Sequence, residues 1–260
     1  SVLPLDDRRH GDAMRAAYSR FAKVICVSHY TRRLIAERLP GLTNIEVMHN
    51  RVDAGHYSGD EAQILDQPWQ GLQYIAGVGP VKERKGHHLG VGAFLRIADR
   101  YPEHHLFIAG QVYPEDPYVL GLRRRVAESG LSDRVHFLGV VTEAQKVDLL
   151  RGAQVFLHAP VTARGGGFEG FGIVYLEAAA CGVPSIATTG SGAEDAVQHD
   201  QTGLLVSPSE QDIARALDRL LGNPALLKRL GTQALAAVQR HSWEDNADRC
   251  LEIFQETVEA

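Results

Sequence analysis

The chain has little of several things, and each shortage narrows the field. Three cysteines occur in 260 residues. Cys26, Cys181 and Cys250 are odd in number, far apart and set in apolar segments, so free thiols in a reducing cytoplasm are expected and a disulfide framework is not. No apolar run approaches the roughly 20 residues of a membrane-spanning helix. Positive charge is not in excess: 27 Lys+Arg stand against 32 Asp+Glu, a net charge of −5, which argues against a nucleic-acid binder with its basic stripe. The one dense basic stretch, Arg123, Arg124 and Arg125, lies on a helix-period segment and reads as a solvated face. Metal-ligand spacing is missing too. The twelve histidines include the adjacent pairs His87, His88 and His104, His105, which cannot face one ion as i, i+4 residues do, and there is no Asp-x-Asp, so no catalytic metal is expected. His29, after Ser28, reads as a helix-start residue. A starting methionine and a signal-peptide pattern are also absent, and the chain reads as a processed or excised piece.

What is present is a regular alternation. Short apolar runs occur at 73–78 (QYIAGV), 105–109 (HLFIA), 134–138 (RVHFL), 154–158 (QVFLH), 184–187 (PSIA) and 203–206 (GLLV). Each is brief, β-branched or aromatic, and without polar alternation, as strands buried on both faces of a parallel sheet are. Helical segments lie between them, one carrying Leu89, Ala93, Ile97 and Tyr101 at a spacing of four, another Ile213, Leu217, Leu220 and Leu221 on one face. Strand and helix in alternation predict right-handed crossovers and an α/β, Rossmann-like doubly wound parallel sheet over residues 72–222. In front, 12–21 (helix), 22–28 (strand), 31–39 (helix) and 44–48 (strand) are too few elements for an independent lobe. Behind, 224–240 and 243–258 read as helices, the second capped by Ser242 with Asp245 three positions on. The segment 55–71, with Pro68, is the best linker.

The most unusual stretch is 163–177, ARGGGFEGFGIVYLE. Five glycines, Gly165, Gly166, Gly167, Gly170 and Gly172, follow a strand and precede a helix. Glycines there let the main chain approach a ligand, and the helix N-terminus behind them suits a phosphate or diphosphate. Alone, the pattern reads equally well as a flexible surface loop. Glu169 and Glu177 shift the balance, because both can look along one side of the helix's N-terminal end. Glu177 adjoins a small-residue face, Ala178, Ala179, Ala180 and Cys181, where an ionised carboxylate needs a partner, and ligand hydroxyls would serve.

The element EGFGIVYLEAAACGVPSIAT resembles the E-x7-E signature of the retaining glycosyltransferases of family 4, which have the GT-B fold. VHFLGVV at Val135, TGLLVSP at Thr202, KVICVSHYTRR, and HNRVD at His49 are similar to further segments of that family, in the same order. The resemblance implies that Glu169 hydrogen-bonds the transferred sugar and Glu177 the ribose. Gly170, Phe171 and Gly172 would offer backbone N–H groups to the donor, and Ile173 belongs to the same donor-binding set. Lys85, in ERKG, matches the lysine that neutralises the diphosphate leaving group. Val141 and Lys146 fall at the base-contacting loop. Lys85 and Lys146 can also be read as solvated lysines and Val141 as core packing. One departure stands out: Pro80 occupies the place of a usual arginine five residues before the lysine, leaving Lys82 or Arg84 to supply a second positive charge. Arg51, where a glycine is common, is a smaller one.

On this reading residues 1–50 are the tail of an N-terminal acceptor lobe, 51–71 a linker, 72–240 the donor-binding lobe, and 241–260 a helix packing back on the first lobe. The implied activity is transfer of a sugar from a UDP- or GDP-sugar to a carbohydrate, lipid or small-molecule acceptor with retention, without a cofactor. The alternative is a non-catalytic nucleotide-sugar-binding half that needs the missing N-terminal lobe. A cytoplasmic location is expected, with peripheral membrane contact left open.

Overall fold

The computed structural model describes residues 8–58, 66–163 and 167–258. The chain opens with α1 (Arg8–Tyr18), β1 (Val24–Cys26), α2 (His29–Arg38) and β2 (Ile45–Val47). β1 and β2 pair in parallel only with each other, and Val24, Cys26, Ile35 and Leu39 form a small core of their own. The strand expected over 22–28 is shorter because Ser28 leaves it to cap the next helix. Its hydroxyl accepts the Thr31 N–H at 3.0 Å while the Thr31 hydroxyl accepts the Ser28 N–H at 3.1 Å. That reciprocal cap starts α2 at His29, two residues before the apolar period shows it.

After α3 (Ala54–Ser58) come β3 (Gln73–Val78), a 3₁₀ turn (Glu83–Lys85), α4 (His87–Ile97), β4 (His104–Ala109), α5 (Pro117–Glu128), β5 (Val135–Gly139), α6 (Glu143–Gly152) and β6 (Val155–Leu157). Then follow α7 (Ile173–Ala180), β7 (Ser185–Thr188), α8 (Ala193–Ala196), β8 (Gly203–Val206), α9 (Glu210–Leu221), α10 (Pro224–Val238) and α11 (Trp243–Val258). Six strands form one sheet in the order β5-β4-β3-β6-β7-β8, every pairing parallel.

Consecutive strand residues feed opposite cores. Ile75, Leu106 and Ile108 join Val91 and Phe94 of α4 and Ile213 and Leu217 of α9. Tyr74, Ala76, Phe107 and Phe156 face the other way, toward Leu149 and Leu150 of α6 and Tyr175 of α7. Both faces being covered is the reason the inner strands β3 and β6 read as short apolar runs without polar alternation. The chain starts at the middle of the sheet with β3, proceeds to one edge through β4 and β5, then returns to β6 and proceeds to the other edge. The carboxyl ends of β3 and β6 therefore flank a topological switch point, where such sheets open a crevice.

Two local readings change. The 55–71 segment is no free linker where it is described: Tyr57 and Trp69 are buried in the second core with Val52, and the Trp69 indole donates to Asp148 at 2.8 Å. Residues 59–65 lie outside the described residues. Arg125 is not part of a merely solvated face, since it forks onto Glu210 of α9 at 2.6 and 2.8 Å, a hydrogen-bonded pairing that holds the Glu210 carboxyl below its usual range. At the back, Ser242 and Asp245 cap α11 reciprocally. Arg249 of α11 then forks onto Glu46 of the front unit at 2.6 and 2.9 Å, and Asn246 donates to the His49 carbonyl at 2.9 Å. All three cysteines are free thiols; burial pushes Cys181 up to about 12, far from a reactive thiolate. No helix among the described residues is long and apolar enough to cross a membrane.

Candidate active site

The crevice is built by the two loops that leave β3 and β6. After β3 the chain turns at Gly79, runs through Pro80, and ends the 3₁₀ turn in Gly86, which has a left-handed φ of +68°. A Cβ at Gly86 would lie 1.6 Å from the Ala159 carbonyl oxygen, so the turn lies directly against the loop after β6. The Val161 N–H donates to the Arg84 carbonyl at 3.0 Å and completes the seam. Glycine is required here twice over, by conformation and by space.

That seam aims two cations inward. The Lys85 ammonium donates to Oε2 of Glu169, with only 13 % of the lysine and 12 % of the glutamate side chain exposed. Arg84 Nη1 stands 3.8 Å from the same oxygen. The second positive charge that Pro80 cannot carry is thus present from Arg84, four residues on. Lys82, the other candidate, lies over the Tyr113 ring at 5.1 Å instead, and the Pro80 carbonyl faces the His87 ring nitrogen Nε2 at 3.2 Å.

A fourth group was not singled out from sequence. His158, immediately after β6, is fully buried and places Nε2 3.4 Å from Glu169 Oε2. Its Nδ1 has no partner among the described residues. Burial disfavours the imidazolium and lowers the His158 pKa, which leaves a neutral ring whose proton sits on Nε2, donating to the carboxylate. The available signal was position: a polar residue at the carboxyl end of QVFLH, an otherwise apolar inner strand, has to point at something.

Glu169 is held ionised. Burial alone would raise its carboxyl, but the hydrogen bond from His158 and the charge of Lys85 outweigh it and bring the pKa to about 2. A carboxyl lowered from 4.5 to about 2 on folding contributes stability that is complete above pH ~4.5 and is lost as pH falls from there toward 2. Urea midpoints measured from pH 6 down to pH 2 should therefore fall more steeply for the native chain than for Glu169→Gln; parallel curves would show that the pairing does not form.

Glu177 finds a protein partner rather than waiting for hydroxyls. Lys146 Nζ, from α6, lies 3.0 Å from Glu177 Oε1 and 2.9 Å from Glu143 Oε1, and also 5.6 Å from the Tyr57 ring centroid. Burial would lower the Lys146 pKa, yet Glu143 and Glu177 together raise it, so the charge is kept. The Tyr57 hydroxyl donates to Glu143 at 3.0 Å. The two glutamates of the E-x7-E spacing thus sit in two separate lysine pairs, one at each side of the loop entering α7. Val141 is partly buried against the second core.

Between those pairs runs the glycine loop. Gly170, Phe171 and Gly172 find no acceptor for their N–H groups among the described residues. Gly172 caps α7 at φ +91°, and a Cβ there would meet the Tyr175 ring at 2.6 Å. Phe171 is buried and stacks on His49 at 5.7 Å, while Ile173 is 40 % exposed at the first helical position. The loop is anchored from β7's side by Gly192, whose N–H donates to the Glu169 carbonyl at 2.8 Å. Arg164, Gly165 and Gly166 lie outside the described residues.

Fold and site together define an α/β protein whose doubly wound sheet brings two cations, an ionised glutamate and the start of a helix together at its switch point. Residues 67–236 match the family described as glycosyl transferases group 1, and the chain belongs to that family. A GDP-mannose-dependent monoacylated alpha-(1-6)-phosphatidylinositol monomannoside mannosyltransferase of Corynebacterium glutamicum is 36 % identical over 176 residues, covering 66 % of this chain and 44 % of that protein. A GDP-mannose-dependent alpha-(1-6)-phosphatidylinositol monomannoside mannosyltransferase of Mycolicibacterium smegmatis is 29 % identical over 245 residues, 91 % of this chain and 63 % of that one. Among solved structures, HepE of Anabaena in complex with UDP and glucose superposes with a TM-score of 0.83 at 22 % identity, over 95 % of this chain and 66 % of its own, a likeness of fold. The expected α/β, Rossmann-like lobe of the GT-B type is the one observed. The chain spans about half the length of the curated relatives it matches.

Proposed function

We propose that this chain is the nucleotide-sugar-binding lobe of a retaining glycosyltransferase of family 4, moving a sugar from a UDP- or GDP-sugar to an acceptor hydroxyl. The observation that carries the reading is the convergence of Lys85, Arg84 and Glu169 in one crevice beside the N-terminus of α7. Diphosphate departure needs positive charge fixed in place before the bond breaks. Lys85 and Arg84 supply it from the β3 loop, and the N–H groups at 170–172, which have no acceptor among the described residues, supply partial charge from the other side. Glu169, kept ionised by His158 and Lys85, accepts hydroxyls of the transferred sugar. Glu177, with Lys146 beside it, accepts those of the ribose. Neither carboxylate has to form a covalent bond: the acceptor attacks from the face the diphosphate leaves, and a phosphate oxygen takes its proton. The C. glutamicum and M. smegmatis relatives use GDP-mannose, which makes GDP-mannose the first donor to try and phosphatidylinositol mannosides the first acceptors.

In this assignment residues 72–240 form the donor lobe and 1–50 the tail of the acceptor lobe. The separate β1–β2 sheet and the Arg249–Glu46 fork from α11 support that division. Donor binding is measured by calorimetry and by thermal shift with UDP, GDP and their sugars. At a nucleotide concentration about a hundred times Kd the stabilisation should be roughly 2.7 kcal/mol, and Glu177→Ala should reduce it. Transfer is then assayed by following product anomers by NMR. Binding without turnover favours the second reading, a donor-binding half dependent on a separate acceptor lobe. Inverted product, or no nucleotide binding at all, refutes the first.

A further inference from the structure

A second cluster of ligating groups lies outside the crevice. His29 is the first residue of α2, His49 follows β2, and Asp195 sits in α8. Nδ1 of His29 and Nε2 of His49 each stand 3.1 Å from the same Asp195 oxygen, Oδ2, and all three atoms lie within 4.8 Å of one another. Metal–ligand bonds of 2.0–2.2 Å place neighbouring ligand atoms about 3 Å apart in octahedral and slightly farther apart in tetrahedral sites, so the two histidine-to-carboxylate spacings of 3.1 Å each match a coordination edge. The three ligands come from segments 29, 49 and 195, which no search for local spacing would join.

The groups around them hold this arrangement. The His29 backbone N–H donates to Asp195 Oδ2, orienting the carboxylate as outer partners do in metal centres. The His49 ring lies against Phe171, with 30° between the planes. The Asp195 side chain is 14 % exposed, His49 31 % and His29 55 %, leaving an open side for solvent ligands. A cavity of about 180 Å³, lined in part by His49, Arg51, Phe171 and Asp195, adjoins the cluster.

We propose that His29, His49 and Asp195 form a binding site for a first-row divalent transition metal ion, Zn²⁺ foremost, that ties the front unit to the donor-lobe loop. Two imidazoles and one carboxylate are a donor set for zinc, cobalt or nickel rather than magnesium or calcium. Bound there, the ion would cross-link α2, the segment after β2 and α8. Gly192, just before α8, holds the Glu169 carbonyl, so the link would reach the glycine loop through one hydrogen bond. The site adjoins the glycine loop through the contact of His49 with Phe171, but the metal-binding proposal does not depend on the sugar-transfer reading.

The test uses the chain stripped with chelator and titrated with ZnCl₂ by calorimetry, with CoCl₂ followed by its visible absorption and MgCl₂ as a control. One Zn²⁺ per chain, a metal-dependent rise in Tm, a cobalt spectrum of nitrogen and oxygen ligation, and no response to Mg²⁺ are expected. The double variant His29→Ala/His49→Ala keeps the other ten histidines and the three cysteines. It should lose affinity by more than the 10–100-fold typical of an outer-shell change, with its metal-free melting curve showing that it folds. Asp195→Asn, which retains the size of the side chain, should weaken zinc at least tenfold. Zinc binding that is absent in the native chain, or unchanged in the double variant, overturns the proposal.

Discussion

Lys85→Met should lower kcat for sugar transfer by roughly 10²–10³-fold, the range found when one preorganised donor to a developing negative charge is removed. The lysine is 13 % exposed and points at Glu169 from a turn that the sheet holds in place. Methionine keeps the stem and its packing while deleting the charge. In the proposed reaction the charge acts mainly on the departing diphosphate, so the loss should appear in kcat more than in KM. Arg84→Gln should cost less, since Arg84 is 34 % exposed and stands 3.8 Å from the carboxylate. The assay needs an active transferase containing this chain, and a Lys85→Met enzyme with normal turnover would remove the lysine from the mechanism. Loss of Lys85 also leaves Glu169 with one cation fewer, so the variant's stability should fall at neutral pH and approach that of the native chain near pH 2.

Gly86→Ala should be the most damaging single-methyl addition in the crevice. The residue has φ +68°, where a Cβ costs about 1–2 kcal/mol, and its Cβ would lie 1.6 Å from the Ala159 carbonyl, which is backbone and cannot swing away. Separation of the two loops adds to the strain. A total of about 3–5 kcal/mol is expected, at the upper end of single substitutions and a large part of the 5–15 kcal/mol of a typical domain. Gly130 is the control: it has φ +73° but open space around its Cβ position, so Gly130→Ala should cost only the conformational part. Urea denaturation of both variants separates conformation from collision. Equal losses would mean that the β3 and β6 loops do not meet as described.

Much of this architecture was readable without coordinates, for identifiable reasons. The strand at 73–78 was recovered at its observed limits because burial on both faces forbids polar interruption, and 203–206 likewise. The helix pattern Ile213, Leu217, Leu220 reported its buried face directly. Where reading by period failed, capping or long-range contact decided. Ser28 and Thr31 shortened a strand and lengthened a helix, and burial of Tyr57 and Trp69 turned part of an apparent linker into core. Arg125 looked solvated because its partner, Glu210, is 85 residues away. In the crevice, Lys85 and Glu169 could be named from a motif, but the part of Arg84 could only be left as one of two choices, and His158 carried no local signature beyond its place at a strand end.

The sequence by itself determined the element order, the parallel sheet, the glycine loop and the acidic pair, because period, turn chemistry and spacing are properties of neighbours along the chain. Tertiary structure decided which charges meet. It paired Lys85 with Glu169 across 84 residues and Lys146 with Glu177 across 31, gave Arg84 rather than Lys82 the inward position, and gathered His29, His49 and Asp195 around one oxygen. Those outcomes depend on the sheet order that brings the ends of β3 and β6 together and on burial that leaves a carboxylate no partner except the one the fold delivers.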